Sequence, residues 1–316
     1  MKRQKRIVVI GGGTGTYTVL SGLKKHRVYL TAVVAMADDG GSTRVLREEF
    51  GVLPPGSVRP AMVALSSAEK SLADLFNYRF EGNNGLSGHN FGNLFITALT
   101  KQLGSFEKAI EEAGKILDMK GEVIPSTLDN CTLVARLENG QIIRGETNID
   151  VPQHDGSLRI QEVWLEHDCK ANGKAVEAIE KADMIVIGPG DLFTSILPNI
   201  LLKPIAEAIR KSKGKKVFIC NLMTKFGETN NFTAFDFAKT LEQYMGQGVL
   251  THIIVNKKRP SPARIKKYEK EQAEVVEYDV KALKAKKLKV VEADLVRPVG
   301  FIRHDSDTLA TILCKL

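Results

Sequence analysis

The sequence predicts an α/β protein built on one doubly wound, mostly parallel sheet that carries a small β-rich insertion. Three observations carry this expectation. Apolar strand patterns alternate with helical ones along most of the chain. Two of the strands, "RIVVIGG" and "DMIVIGPGD", run directly into glycine-rich turns followed by helical sequence. Between them, over about residues 120–168, the apolar residues switch to strict alternation. The combination describes a Rossmann-like core interrupted once.

In chain order, "RIVVIGG" reads as a buried strand and "GTYTVLSGLKKH" as the helix after it. "VYLTAVVAMADD" reads as the second strand, ending at Asp38 and Asp39. Residues 60–118 show apolar spacings of three and four, as in "NLFITALTKQL" and "FEKAIEEAGKIL", and read as mainly helical. "CTLVARLENGQIIRGE" is two alternating segments about Asn139-Gly140, a type I′ hairpin signal, and "SLRIQEVWLE" adds a further strand. Strand–helix alternation resumes with "KAVEAIEKADMIVIGPGD", "LPNILLKPIAEAIRKSKGKKVFICNL", "AFDFAKTLEQYM" and "LTHIIVN". Residues 256–316 form a basic, less regular elaboration apart from the strand "LKVVEADL" and the last helix "DTLATILCKL". No repeat or low-complexity linker divides residues 1–316, so a single domain is expected.

A chain of 316 residues with 43% hydrophobic content can bury a proper core. It contains no apolar stretch of about eighteen residues, so no membrane span is expected. The opening "MKRQKRIVVIGGG" has an apolar run of about five residues against the roughly 7–15 of a secretory leader, which favours a first strand and a cytoplasmic protein. Cys131, Cys169, Cys220 and Cys314 are scattered without a CxxC, a pattern that suggests reduced thiols and no zinc site. The net charge of +8 is concentrated locally: residues 256–290 hold twelve Lys/Arg against five Asp/Glu. Without interleaved aromatics or a nucleic-acid motif, this reads as a solvated face, and no nucleic-acid partner is expected.

Chemistry concentrates in the turns. In "VIGGGTGTYTVLSGL", glycines admit a ligand close to the backbone and the next helix offers free N–H groups to a phosphate. The dinucleotide fingerprint fails, because Thr16 stands where Gly or Ala is required, and no Lys completes a Walker A loop. "MIVIGPGDLFTSILPN" is a second such turn, with Gly188 and Gly190 forming a nest, Thr194 and Ser195 before a helix, and Pro198 in its first turn. Two glycine-rich turns at the ends of parallel strands point to one crevice and a phosphate-containing ligand. His89, Asn90 and Asn93 either contact that ligand or cap a helix. Arg303 suits a diphosphate, while Asp305 or Ser306 suits a helix cap. The Asp38-Asp39 pair, followed by Gly-Gly, holds a metal, reads a ribose or ends a strand.

Taken in order, "GGGTGTYTVLSGL", "ADDGGSTRVLRE", "LPPGSVRPAMVAL", "LSGHNFGNLFITAL", "GPGDLFTSILPNILL", "CNLMTKFGET" and "RHD" resemble the gluconeogenesis factor (YvcK-like) family within the CofD-like superfamily. The resemblance covers almost the whole chain. It implies a CofD-like fold and a UDP-sugar ligand of the UDP-N-acetylglucosamine type, with NAD as another nucleotide that fits. It also implies a regulatory role in cell shape and in growth on gluconeogenic carbon sources, and a homodimer. Carried over by position, Gly12, Gly13, Thr14 and Gly15 form the nucleotide cradle, with Asp38 and Asp39 across the crevice. Asn93, Asn221 and the run Gly188, Pro189, Gly190 to Thr194 and Ser195 complete the pocket, and Tyr268 and Arg303 contact the UDP-sugar. The alternative is a CofD-like phospholactate transferase in which Asp38 and Asp39 hold Mg²⁺; a nicotinamide-dependent oxidoreductase is weaker, since the fingerprint fails. The chain departs from the family pattern in having Asp191 for Ser, Lys225 for Gln, and Pro60-Ala61 after Arg59. Lys225 offsets Asp191 if the fold brings them together.

Overall fold

Strands that are apolar on both faces need helices on both sides. The computed structural model describes residues 3–83 and 85–316. β1 (Lys5–Gly11) leads through a glycine turn to α1 (Gly13–Leu23) and β2 (Val28–Val34). There follow α2 (Gly41–Phe50), α3 (Pro55–Leu65), α4 (Lys70–Asn77), α5 (Phe91–Leu103), α6 (Phe106–Ile116) and β3 (Glu122–Pro125). Next come β4 (Leu133–Leu137), β5 (Ile142–Arg144), α7 (Glu146–Asp150), β6 (Ile160–Leu165), α8 (Gly173–Glu180) and β7 (Met184–Ile187). A π-helical turn, Leu192–Ile196, runs into α9 (Leu197–Ile200), α10 (Lys203–Lys211), β8 (Lys215–Ile219), α11 (Ala234–Met245) and β9 (His252–Asn256). The chain closes with α12 (Pro262–Ile265), a 3₁₀ turn (Lys266–Glu271), α13 (Val280–Ala285), β10 (Lys289–Ala293) and α14 (Ser306–Lys315).

The main sheet has seven strands in the order β10-β9-β8-β7-β1-β2-β3. All its pairings are parallel. Alternation along β1 divides the core: Val8 and Ile10 pack with Ile179 of α8, Ile205 of α10 and Phe237 of α11. Ile7 and Val9 face the other way, with Leu20 of α1, Met62 of α3 and Leu309 of α14. The expected fold class is therefore the observed one. β2 stops at Val34, so Asp38 and Asp39 lie in extended chain beyond it. β10 belongs to the main sheet, giving part of the basic C-terminal segment a structural place as its edge strand.

The insertion is a second, antiparallel sheet in the order β5-β4-β6. Its apolar residues Leu133, Ala135 and Val163 join the core on the α8 side. The β4–β5 connection corrects the expected type I′ turn. Leu137 N–H donates to the Gln141 carbonyl at 2.9 Å, leaving the three residues 138–140 between them. Of the Asn139-Gly140 pair only Gly140 takes a positive φ, +87°. This is the longer, glycine-bulged hairpin.

The cysteine reading also needs correction. Cys131 and Cys169 form a disulfide with a Cα–Cα separation of 6.3 Å. Sequence spacing hid it because the pair is 38 residues apart. β4 and β6 pair antiparallel, which returns the chain to where the insertion began. Cys220 is buried and free, as expected.

Helix α1 packs close against the start of α14. A Cβ built on Gly22 would stand 2.1 Å from the carbonyl oxygen of Ser306, a backbone atom that cannot swing away. We expect Gly22→Ala to lower the unfolding free energy by about 1–3 kcal/mol. Urea denaturation measures this, and an unshifted midpoint would contradict the packing.

Candidate functional site

Strand order reverses between β1 and β7, the point at which open α/β sheets take ligands beyond their strand ends. Both glycine-rich turns meet there. A Cβ on Gly15 would lie 2.0 Å from the Pro189 carbonyl oxygen, so only glycine lets the first turn of α1 rest on the second loop. Gly12 and Gly13 face Ser195 at ordinary contact distance, with Ser195 Oγ 3.6 and 4.0 Å from the sites of their Cβ atoms. No side chain caps α1 and no acidic residue occupies its first turn. Its free N–H groups and the positive end of its dipole are available to an anion at the exposed Gly13 and Thr14.

A cleft of about 330 Å³ opens at this point. It is lined by Thr14, Gly15, Pro189, Gly190, Asn221, Tyr268 and Arg303 from the expected set. Asn221 Nδ2 donates to the Gly190 carbonyl at 2.9 Å and fixes the second loop, while its buried Oδ1 has no protein partner. The Tyr268 hydroxyl accepts from Ile302 N–H at 2.8 Å. Arg303 is exposed and forms no ion pair among the described residues; its guanidinium lies 5.6 Å from the centre of the Phe301 ring. Burial lowers His304 to about 4, so its ring is neutral at pH 7 and Nε2–H donates to the Cys220 carbonyl at 3.1 Å. A larger groove, about 720 Å³, lies at the opposite ends of β1–β3. Its walls carry Glu111 and Lys174, and Glu177 and Lys181, already paired across or along the helices.

Asp38, Asp39, Asn93 and Thr194 do not line the cleft, and the two aspartates belong to an acidic band with Glu146, Asp150 and Glu228. Asp39 accepts from the N–H groups of Glu146 at 3.2 Å and Thr147 at 2.9 Å, which ties it to the start of α7. Asp38 accepts from Gly40 N–H at 3.0 Å, and burial raises its pKa. Asn93 is buried, with its Oδ1 accepting from Arg59 Nε at 3.1 Å, and Asn90 caps α5. Asp305 caps α14. Thr194 points away from the cleft and donates to Glu228 at 3.0 Å.

Lys225 meets Asp191 at 3.1 Å and Glu228 at 3.0 Å, and also pairs with Asp150. The offset of Asp191 by Lys225 is thus present. Burial pulls the Lys225 pKa down, but Glu228, Asp191 and Asp150 more than reverse this and leave it raised. Burial pushes Glu228 up to about 7, with Asp191 adding to it against the pull of Lys225. The ligand atoms of Asp150, Asp191 and Glu228 lie within 4.8 Å of one another, a spacing suited to a metal, but the ammonium already occupies their midst. Glu146 is pushed up to about 9, first by burial and then by Asp150, Asp38, Asp39 and Glu228. Asp38, Asp39 and Glu146 have no ion-pair partner among the described residues, in contrast to the lysine-filled cluster, so a divalent cation there would meet carboxylates alone.

Sequence reasoning missed Glu146, Asp150 and Glu228. Glu146 read as the end of the hairpin "CTLVARLENGQIIRGE", and only its i, i+4 spacing to Asp150 hinted otherwise. Phe301 was missed because one aromatic in a loop carries no pattern.

Comparison with known proteins identifies the family. The family of 2-phospho-L-lactate transferase CofD matches residues 7–296. The gluconeogenesis factor of Bacillus subtilis is 41% identical over 318 residues, covering 100% of this chain and 99% of that protein. The gluconeogenesis factor of Halalkalibacterium halodurans is 44% identical over 284 residues, 90% of this chain and 87% of that one. A crystal structure of an upf0052 family member from Bacillus halodurans superposes with a TM-score of 0.94 at 40% identity, covering 99% of this chain and 100% of that chain.

Two outcomes follow from the acidic band. Lys225→Met leaves three facing carboxylates, and we expect a loss of about 3–5 kcal/mol at pH 7 that shrinks towards pH 5 as Glu228 takes up a proton. An equal loss at both pH values would contradict this charge balance. Glu146 has a folded pKa of about 9 against 4.5 for the ordinary group, so the folded state keeps a proton that the unfolded chain releases. Its contribution is therefore intact below about pH 4.5 and is lost progressively towards 9. Between pH 7 and 9, above the Glu228 range, Glu146→Gln should flatten the fall in stability; an unchanged slope on thermal unfolding would show that Glu146 is ionised.

Proposed function

This chain belongs to the CofD family, in its gluconeogenesis factor branch, and we propose that it acts as a nucleotide-sugar-binding regulatory protein. The ligand is of the UDP-N-acetylglucosamine type, and the output is control of cell shape during growth on gluconeogenic carbon sources. The observation that carries this reading is the pairing, in one cleft, of an uncapped helix N-terminus with the exposed Arg303, which has no ion-pair partner among the described residues. The diphosphate lies between them. It accepts backbone N–H groups at Gly13–Gly15 and charge-assisted bonds from the guanidinium. Asn221 holds the facing loop and offers its unpartnered Oδ1 to a ligand donor. Neutral His304 supports the floor through the Cys220 carbonyl. NAD is a weaker candidate because the dinucleotide fingerprint is absent from the first turn. A homodimer accompanies this reading.

The acidic band favours one alternative, a CofD-like phospholactate transferase. There Asp38 and Glu146 would hold Mg²⁺, which supplies neutralisation of phosphate charge. Asp39 would keep Glu146 in place through its bonds to the start of α7.

Calorimetric titration of UDP-N-acetylglucosamine separates the two, combined with product analysis over hours in the presence of Mg²⁺. We expect binding without turnover, and Arg303→Ala to weaken it about tenfold or more. Unchanged affinity in the folded variant would remove Arg303 from the site. Consumption of a nucleotide-linked phospholactate would establish the transferase instead.

A further inference from the structure

We propose that Phe301 is the platform on which the nucleobase of the ligand stacks, an assignment that rests on the nucleotide-binding reading above. Phe301 lines the cleft and is nevertheless 63% exposed. An apolar ring turned towards water gains nothing from its own fold, since burying a side chain of this size is worth about 1.5–3 kcal/mol. Here the backbone fixes it in that position. Val296 and His304 form an antiparallel bridge, and Arg297 N–H donates to the Arg303 carbonyl at 2.9 Å, which makes the segment a closed hairpin. The Phe301 carbonyl accepts from Arg297 Nε at 3.0 Å and from Arg264 at 2.9 Å. Arg264 also reaches the Arg297 carbonyl at 2.9 Å, and the Tyr268 hydroxyl pins the next residue, Ile302.

The division of labour inside the cleft identifies what meets the ring. Donors and positive charge belong to α1 and Arg303, and these suit phosphate oxygens, while the free Asn221 Oδ1 can only accept. A phenyl ring has neither donor nor acceptor. The base is the only part of a nucleotide that offers a flat π-face, and stacking on an aromatic side chain is its usual recognition in open clefts. Tyr268 is the other aromatic in the wall, but it is half-buried against the apolar core and its hydroxyl is already engaged. Arg303 beside the Phe301 ring, at 5.6 Å, places the charge for the diphosphate next to the surface for the base.

The test is titration of UDP, UDP-N-acetylglucosamine and inorganic diphosphate into the full chain and the variants Phe301→Ala and Phe301→Trp. We expect Phe301→Ala to weaken UDP and the UDP-sugar by the same factor, roughly 5- to 150-fold, and to leave diphosphate unchanged. Phe301→Trp should bind as the parent protein does, with its emission quenched by UDP; the only native tryptophan, Trp164, lies on β6. Loss of the UDP-sugar alone would assign the ring to the sugar and overturn the proposal. Unchanged affinities with an altered oligomeric state would make Phe301 a contact between copies, with the same consequence. If the parent protein binds diphosphate but gains nothing from uridine, the stacking platform falls while phosphate binding stands. Failure of all three ligands would remove both readings.

Discussion

The contact between Gly15 and the Pro189 carbonyl is the constraint on which the carboxyl end of the sheet depends. A side chain at residue 15 would need to occupy the position of a backbone oxygen 2.0 Å away, so the two loops interlock only because one of them lacks a Cβ. The interlock occurs where β1 and β7 are neighbours and their crossovers leave in opposite directions, which is what opens a crevice there. It also brings the N-terminus of α1 beside the loop that Asn221 holds from β8. One steric fact thus aligns three strands' worth of ligand-facing backbone.

Charge is sorted around that crevice. On one side stand the α1 dipole and Arg303, on the other Asp38, Asp39, Glu146, Asp150 and Glu228. Asp191 belongs to both, since it lines the cleft and pairs with Lys225. The lysine keeps the negative field of the band from the phosphate side of the cleft. Protonation of Glu146 does the same work at neutral pH by removing one charge, at a position where burial disfavours the ion.

Much of the fold is legible in the sequence because its signals are local. "RIVVIGG" and "MIVIGPGD" announce buried strands and turns by composition alone, and both turns enter the same crevice. Tyr268 enters the expected site only through family resemblance, and Arg303, whose chemistry suits a diphosphate, is strengthened by it, since their loops carry no pattern of their own. Thr194 and Asn93 show the limit: each has the right chemistry in the right motif, but the rotation of a π-helical turn and the demand of Arg59 direct their side chains elsewhere. The Cys131–Cys169 bond and the approach of Glu146 to Asp38 are set by how the insertion folds back, which no window of sequence contains.

That insertion leaves and rejoins the main fold through an opening 6.3 Å wide, fastened by the disulfide. A single residue between two others spans about that distance. The segment therefore behaves as a graft with a narrow stem, and Glu146 and Asp150 ride on it, while every residue of the nucleotide-facing cleft belongs to the host. Changes in the graft's length retune the acidic band while every strand of the main sheet keeps its pairing partners. The two halves of the site can thus diverge independently: one frame can keep its nucleotide and acquire or lose chemistry at the other end.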